Sequence, residues 1–272
     1  MSFDRGTFDL GPAILFCPAD HPERYEKALE RADAVLLDLE DAVAAADKDA
    51  GRAALLAHPV DPDRVIVRIN GFSTDDFEPD LAALAKTSYR RVMLPKASSA
   101  AEIGALRGYD VIALCETASG VLAAPEIAAV ENVVALMWGA EDLVASLGGT
   151  SSRFAEGSYR DVARFARASV LIAGAASETA VIDSVYLDIA DVAGLSVEAQ
   201  DAAATGFAAT ACIHPSQVAV IREAYAPTAA QVERARAILA VAATEHGVFA
   251  FDGQMIDEPL LRLARTVVAR AR

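Results

Sequence analysis

Carboxylates recur just after short apolar runs along this 272-residue chain. Asp38, Glu40 and Asp41 follow one run, Glu116 follows another, and Glu141 with Asp142 follows the next. If the runs are consecutive strands of one closed sheet, Glu116 and Asp142 stand on neighbouring spokes of its rim. Two hard oxygen ligands, with water completing the shell, suit Mg²⁺, which rarely takes an all-protein cage. There is no His/Cys cluster to favour zinc. Each carboxylate alone can equally be read as a cap on the helix that follows, a common task for Asp.

Arg68, inside VIVRIN, favours the metal reading. An arginine at a strand end is costly unless it is paired or holds an anion. Asp38 on the neighbouring run is the obvious structural partner. Both roles are compatible, with Asp38 orienting Arg68 from behind while Arg68 faces a substrate carboxylate or an enolate oxygen. Lys96, after Pro95, can be read as a Schiff-base nucleophile, but a metal is an alternative electrophile for the same task. His214, before Pro215, reads as a hydrogen-bonded rim residue rather than a base. Gly148–Gly149 lacks the G-x-G-x-x-G pattern and a Walker lysine, which leaves a loop. His21, Pro22 and Arg24 open a helix whose N-terminus can receive a phosphate, although proline is routine there.

Something must bring these ends together. The apolar runs are short, rich in Val, Ile and Leu, and separated by helix-length segments, as in strands buried on both faces of a parallel sheet. They are AILFC from Ala13, AVLLD from Ala34, VIVRI from Val65 and RVML from Arg91. VIALC from Val111, VVALMW from Val133, AVIDSVY from Ala180 and TACI from Thr210 complete the set. PERYEKALERA, KDAGRAALLA and SYRDVARFARASVLIAGA read as amphipathic helices between them. Eight β/α units predict a (β/α)₈ TIM barrel, whose strand ends converge on the catalytic rim. An open doubly wound sheet is the competing topology. Residues 1–272 read as one barrel domain, with 226–272 a C-terminal helical extension or lid.

Composition narrows the function class. Apolar residues make up 54% and charged residues 23% of the chain, enough for a large core. The formal charge of −15 argues against nucleic acid and anionic membrane surfaces as partners. An anionic substrate must then be held by a few placed cations or a metal. MSFDRGTFDL has no signal-peptide core, and no run is long and apolar enough for a membrane span. Cys17, Cys115 and Cys212 lie in apolar runs without C-x-x-C spacing, as buried free thiols of a reducing cytoplasm do.

LFCPADHPERYEKAL, LLDLEDAV, VRING, VMLPKA, ALCETASG, MWGAEDLVASLGG, CIHPSQ and FDGQMID follow one another in an order that resembles the citrate lyase beta-subunit-like family of the aldolase/citrate-lyase barrel superfamily. The likeness spans about residues 12–260 and is greatest to the short stand-alone members of actinobacterial type. It implies Mg²⁺ bound by Glu116 and Asp142, and substrate bound by Arg68 and Glu116. It also implies an oxo-acid, such as oxaloacetate or pyruvate, lying against Gly139, Ala140 and Glu141. Asp257 of QMID matches an acid/base that the family supplies from a neighbouring subunit of a trimer. Related pyruvate aldolases carry His in an IDxEH motif, and Asp41 stands in that place here, which puts this chain on the lyase side.

The resemblance therefore implies cleavage of a 3-hydroxyacyl-CoA to acetyl-CoA and an oxo acid, with condensation or thioester hydrolysis as related outcomes. Two other readings stay open from sequence: a metal-dependent pyruvate-type aldolase acting on free hydroxy-oxo-acids, and a non-catalytic metabolite-binding barrel.

Overall fold

The structure is a computed structural model that describes residues 8–245 and 247–271; the N-terminal stretch before Phe8 lies outside it. Eight parallel strands close into a barrel in chain order, with β8 pairing back to β1. They are β1 (Ala13–Pro18), β2 (Ala34–Asp38), β3 (Val65–Arg68), β4 (Arg91–Leu94), β5 (Asp110–Cys115), β6 (Val133–Trp138), β7 (Ala180–Asp183) and β8 (Ala209–Cys212). The helices between them are α1 (Tyr25–Arg31), α2 (Lys48–Ala57), α3 (Phe77–Leu84), α4 (Ala100–Gly104), α5 (Ala118–Ala128), α6 (Ala140–Ser146), α7 (Asp161–Ala176) and α8 (Val192–Thr205), and α9 (Pro215–Tyr225) follows β8.

Alternation along the strands explains the rim. Side chains on a strand point to opposite faces with a period of two. Ile14, Leu36, Ile66 and Leu114 fill the barrel interior. Two residues further on, the same faces carry Phe16, Asp38, Arg68 and Glu116. The apolar interior thus ends upward in a ring of charged groups, which must pair with one another because an isolated charge is expensive there. Register places Asp38 opposite Arg68 across β2 and β3.

Two expectations need correction. AVIDSVY was expected as a strand through Tyr186, but β7 ends at Asp183. There the Asp183 carboxylate accepts hydrogen bonds from Trp138 and Arg167, and the chain leaves the sheet. PERYEKALERA is not one helix: Pro22–Arg24 form a 3-10 turn and α1 starts at Tyr25. His21 is the N-cap of that 3-10 turn, without a side-chain cap bond, and its ring pairs with Glu23.

The chain separates into two compact units, up to Ile221 and from Arg222. In the second, α10 (Ala229–Ala242) starts with a capping box in which Thr228 and Gln231 satisfy each other's amides. It packs with α11 (Glu258–Arg270) and a hairpin of β9 (Phe249–Phe251) and β10 (Gln254–Ile256). Asp252 and Gly253 turn the hairpin, both with positive φ, as a two-residue turn demands. Phe249, Phe251, Met255 and Ile256 would lie exposed on an isolated hairpin. Ile256 is instead buried among Ile238, Leu261 and Ala264, and Phe249 and Phe251 pack on that cluster. Met255 alone of the four stays 64% exposed.

Candidate active site

Asp38 is fully buried at the end of β2. Its Oδ1 accepts from Arg68 Nε at 2.7 Å and its Oδ2 from Arg68 Nη2 at 2.6 Å. The same carboxylate accepts the amides of Glu40 and Ala42, which curls the loop after β2 inward. Arg68 Nη1 forms an ion pair with Glu40 at 3.0 Å, and the guanidinium lies 4.9 Å from the centre of the Phe16 ring. Only Nε and Nη2 of Arg68 donate to Asp38, so N–H groups remain on both terminal nitrogens for a ligand. The ion pair with Asp38 thus leaves the guanidinium able to face an anion as well.

The flanking loops are tied down. Lys48 Nζ donates to the carbonyls of Leu39 and Glu40, each at 2.6 Å. Asn70, just past β3, donates its amide and its side chain to Asp80 of α3, and its side chain also to the Leu39 carbonyl.

Neither expected metal ligand is a helix cap. Thr117, not Glu116, caps α5 by accepting from the Gly120 amide. Gly139 is the cap residue of α6, so Asp142 lies within its first turn. Glu116 is buried, and its Oε1 accepts the Lys96 amide at 3.1 Å. Burial, then the charges of Asp142 and Glu40, push the Glu116 carboxyl up to about 8, against the pull of Lys96 and Arg68. Gly139 lies so close that a Cβ there would meet Glu116 Oε2 at 2.7 Å. Glu141 accepts a hydrogen bond from Ser152 at 2.6 Å. Ala140 is buried at the start of α6.

Glu40 and Lys96 are the residues that sequence reasoning left without their proper part. Buried Glu40 sits between Arg68 and Lys96, and its carboxyl is raised, mainly by burial. Lys96 Nζ hydrogen-bonds Glu40 and lies 3.6 Å from both Asp41 and Asp142. Burial would lower the ammonium, but Glu40, Glu116 and Asp41 outweigh it and hold it above an ordinary lysine. A lysine kept protonated is a poor Schiff-base nucleophile. The three acids of LDLED, Asp38, Glu40 and Asp41, were the available signal.

His214 is a rim residue whose Nδ1 lies 2.7 Å from the Ser216 hydroxyl and accepts the Ser216 amide. Asp257 belongs to the second unit, where it caps α11 by accepting from the Leu260 amide. Cys17, Cys115 and Cys212 are free and buried. Among the described residues no helix is long and apolar enough to cross a membrane.

Five carboxylates (Asp38, Glu40, Asp41, Glu116 and Asp142) thus gather around two cations, Arg68 and Lys96, a formal excess of three negative charges. Among the described residues, no three of His, Cys, Asp and Glu converge into a ready cage. Oxygen-only donors, excess negative charge and an incomplete protein shell fit Mg²⁺.

Comparison with known proteins shows the family. The chain is 56% identical over 261 residues to a citrate lyase subunit beta-like protein of Mycobacterium tuberculosis, covering 96% of each. It is 31% identical to the mitochondrial citramalyl-CoA lyase of Homo sapiens, covering 95% of this chain and 85% of that protein. The structure matches the CitE protein of M. tuberculosis in complex with magnesium, acetoacetate and coenzyme A at a TM-score of 0.92. Identity there is 55%, and the match covers 96% of this chain and 98% of that one. Residues 13–215 match the HpcH/HpaI aldolase/citrate lyase family model, and the chain belongs to that family.

Proposed function

We propose that the protein is a Mg²⁺-dependent carbon–carbon lyase that splits a 3-hydroxyacyl-CoA into acetyl-CoA and an oxo acid. Substrates of the citramalyl, malyl or 3-hydroxy-3-methylglutaryl type fit the reading. It rests chiefly on buried Glu116, crowded by Asp142 and Glu40 beside an Arg68 gripped by Asp38. Support comes from the magnesium, acetoacetate and coenzyme A held by the mycobacterial relative, and from the human relative's citramalyl-CoA lyase activity.

In this reading Glu116 and Asp142 hold the divalent ion, which when bound supplies the Lewis acid that acidifies a substrate hydroxyl. Transfer of the hydroxyl proton to a solvent water lets the C2–C3 bond break. Its electron pair passes to C2 as the acetyl-CoA enolate, and C3 leaves as the carbonyl of the oxo acid. Arg68 turns its uncommitted N–H groups toward the developing negative charge; one such donor is worth about 3–4 kcal/mol. The Gly139–Glu141 backbone lies against the oxo acid, and Gly139 gives it close approach beside Glu116. Asp38 keeps the Arg68 fork in plane, while Asp41 stays at the mouth beside Lys96. Asp257 of a neighbouring chain returns a proton to C2, which makes the active form a homo-oligomer, a trimer by family resemblance, working in the cytoplasm. The deciding assay offers malyl-, citramalyl- and 3-hydroxy-3-methylglutaryl-CoA with Mg²⁺ and with EDTA. Turnover that survives EDTA, or that occurs only on free hydroxy-oxo-acids, overturns the proposal.

A further inference from the structure

Lys96 has an unusual backbone for its residue type. Its φ of 52° lies in the left-handed region, which a long L side chain seldom enters and which clusters at functional sites. That conformation does two things at once. It aims the amide at Glu116 Oε1, and it carries the ammonium into the group formed by Glu40, Asp41 and Asp142. These ties differ in kind. Glu40 receives a hydrogen bond, whereas Asp142, 3.6 Å away, is held by charge alone. The same side chain borders a cavity of about 390 Å³ whose lining includes Asn70, Ser73, Thr74 and Ser98. The ammonium can therefore leave Asp142 and remain among polar groups.

We propose that Lys96 is a resident counter-cation of this centre, balancing Asp142 in the metal-free protein and displaced from it when a divalent ion binds. This rests on the metal reading of Glu116 and Asp142 given above. The Glu40 bond tethers the displaced ammonium near the site, so Lys96 opposes the incoming ion by like-charge repulsion throughout. Lys96 is thus a positioning residue that sets metal affinity, and the Glu116–Asp142 pair alone would bind more tightly than the native site does.

The test is calorimetric titration of Mg²⁺ into the full-length wild type and Lys96→Met, each freed of metal with EDTA and then dialysed. Removing one positive charge that sits 3.6 Å from Asp142, well inside a Debye length, should tighten Mg²⁺ binding about tenfold. Structural damage alone would weaken binding instead. The metal-free variant should also melt below wild type, with Mg²⁺ closing the gap. Equal or weaker Mg²⁺ binding by a folded Lys96→Met overturns the proposal. Should Lys96→Met not fold without metal, Lys96→Gln gives the same readout with a polar side chain. A wild type that takes up no Mg²⁺ at all defeats the metal reading itself, an outcome distinct from failure of the Lys96 role.

Discussion

Asp38 and Arg68 face each other in register across β2 and β3 and are joined by two parallel hydrogen bonds of 2.7 and 2.6 Å. Both are buried, and Asp38 also receives two loop amides. Breaking such a pair on one side leaves an uncompensated charge and costs about 3–5 kcal/mol. Asp38→Asn should therefore lower kcat/KM about a hundredfold and lower the melting temperature. Steady-state kinetics and thermal melts check both, and wild-type kinetics in the variant would show that Arg68 needs no such support.

Arg68→Lys keeps the positive charge but loses the planar fork that fits Asp38 on one side and a ligand on the other. Activity should fall about 10²–10³-fold, the scale of one lost charge-stabilising donor. If the lysine variant works nearly as well as wild type, Arg68 is only a structural partner of Asp38.

Glu116→Gln and Asp142→Asn should each abolish Mg²⁺-dependent turnover and weaken Mg²⁺ binding in calorimetry, with the barrel's circular dichroism unchanged. Gly139→Ala tests the same ligand sterically. The new methyl would lie 2.7 Å from Glu116 Oε2 and 2.9 Å from its Cβ, so the carboxylate must move. A loss of about a hundredfold is expected from displacement on the ångström scale.

The pH profile carries a sign. Glu116 titrates near 8 in the metal-free fold, against roughly 4.3 for an exposed glutamate. A carboxyl raised on folding stabilises the fold below its unfolded value and loses that contribution as pH rises through the folded one. Metal-free protein should thus lose thermal stability between about pH 5 and 8. Mg²⁺, which needs the carboxylate, should restore most at the alkaline end. Melts in EDTA and in Mg²⁺ across this range check it, and Glu116→Gln should flatten the EDTA curve.

Mixing inactive Asp257→Ala chains with inactive Glu116→Gln chains tests action between subunits. Hybrid oligomers should regain partial activity, because some sites combine an intact Glu116 with a neighbour's intact Asp257. No recovery after proven subunit exchange would confine Asp257 to its cap on α11.

The barrel was legible because its strands are buried on both faces and so appear as unbroken apolar runs, with period two carrying Asp38, Arg68 and Glu116 inward. AVIDSVY misled for the same reason: its apolar text continues past Asp183, where the pairing with β8 ends and the carboxylate turns to Trp138 and Arg167. The Glu40–Lys96 pair spans 56 residues and depends on left-handed backbone at Lys96, which no local pattern encodes. The caps were ambiguous in text because Thr117 stands directly beside Glu116, and only the folded backbone shows which of them reaches the Gly120 amide.

The Leu39 carbonyl receives both Lys48 and Asn70, and Asn70 is held by Asp80, itself gripped by Arg52. This side of the rim is cross-braced, and few of its residues can change singly. Across the mouth, Glu141 meets the following loop through the Ser152 hydroxyl, and that loop turns through Gly148 and Gly157 at positive φ. Under the proposed function, that loop is the half of the rim freer to vary with the acyl group. Exchanging residues 148–157 between relatives should alter substrate ranking while Mg²⁺ affinity holds constant, whereas exchanging residues 39–48 should damage both.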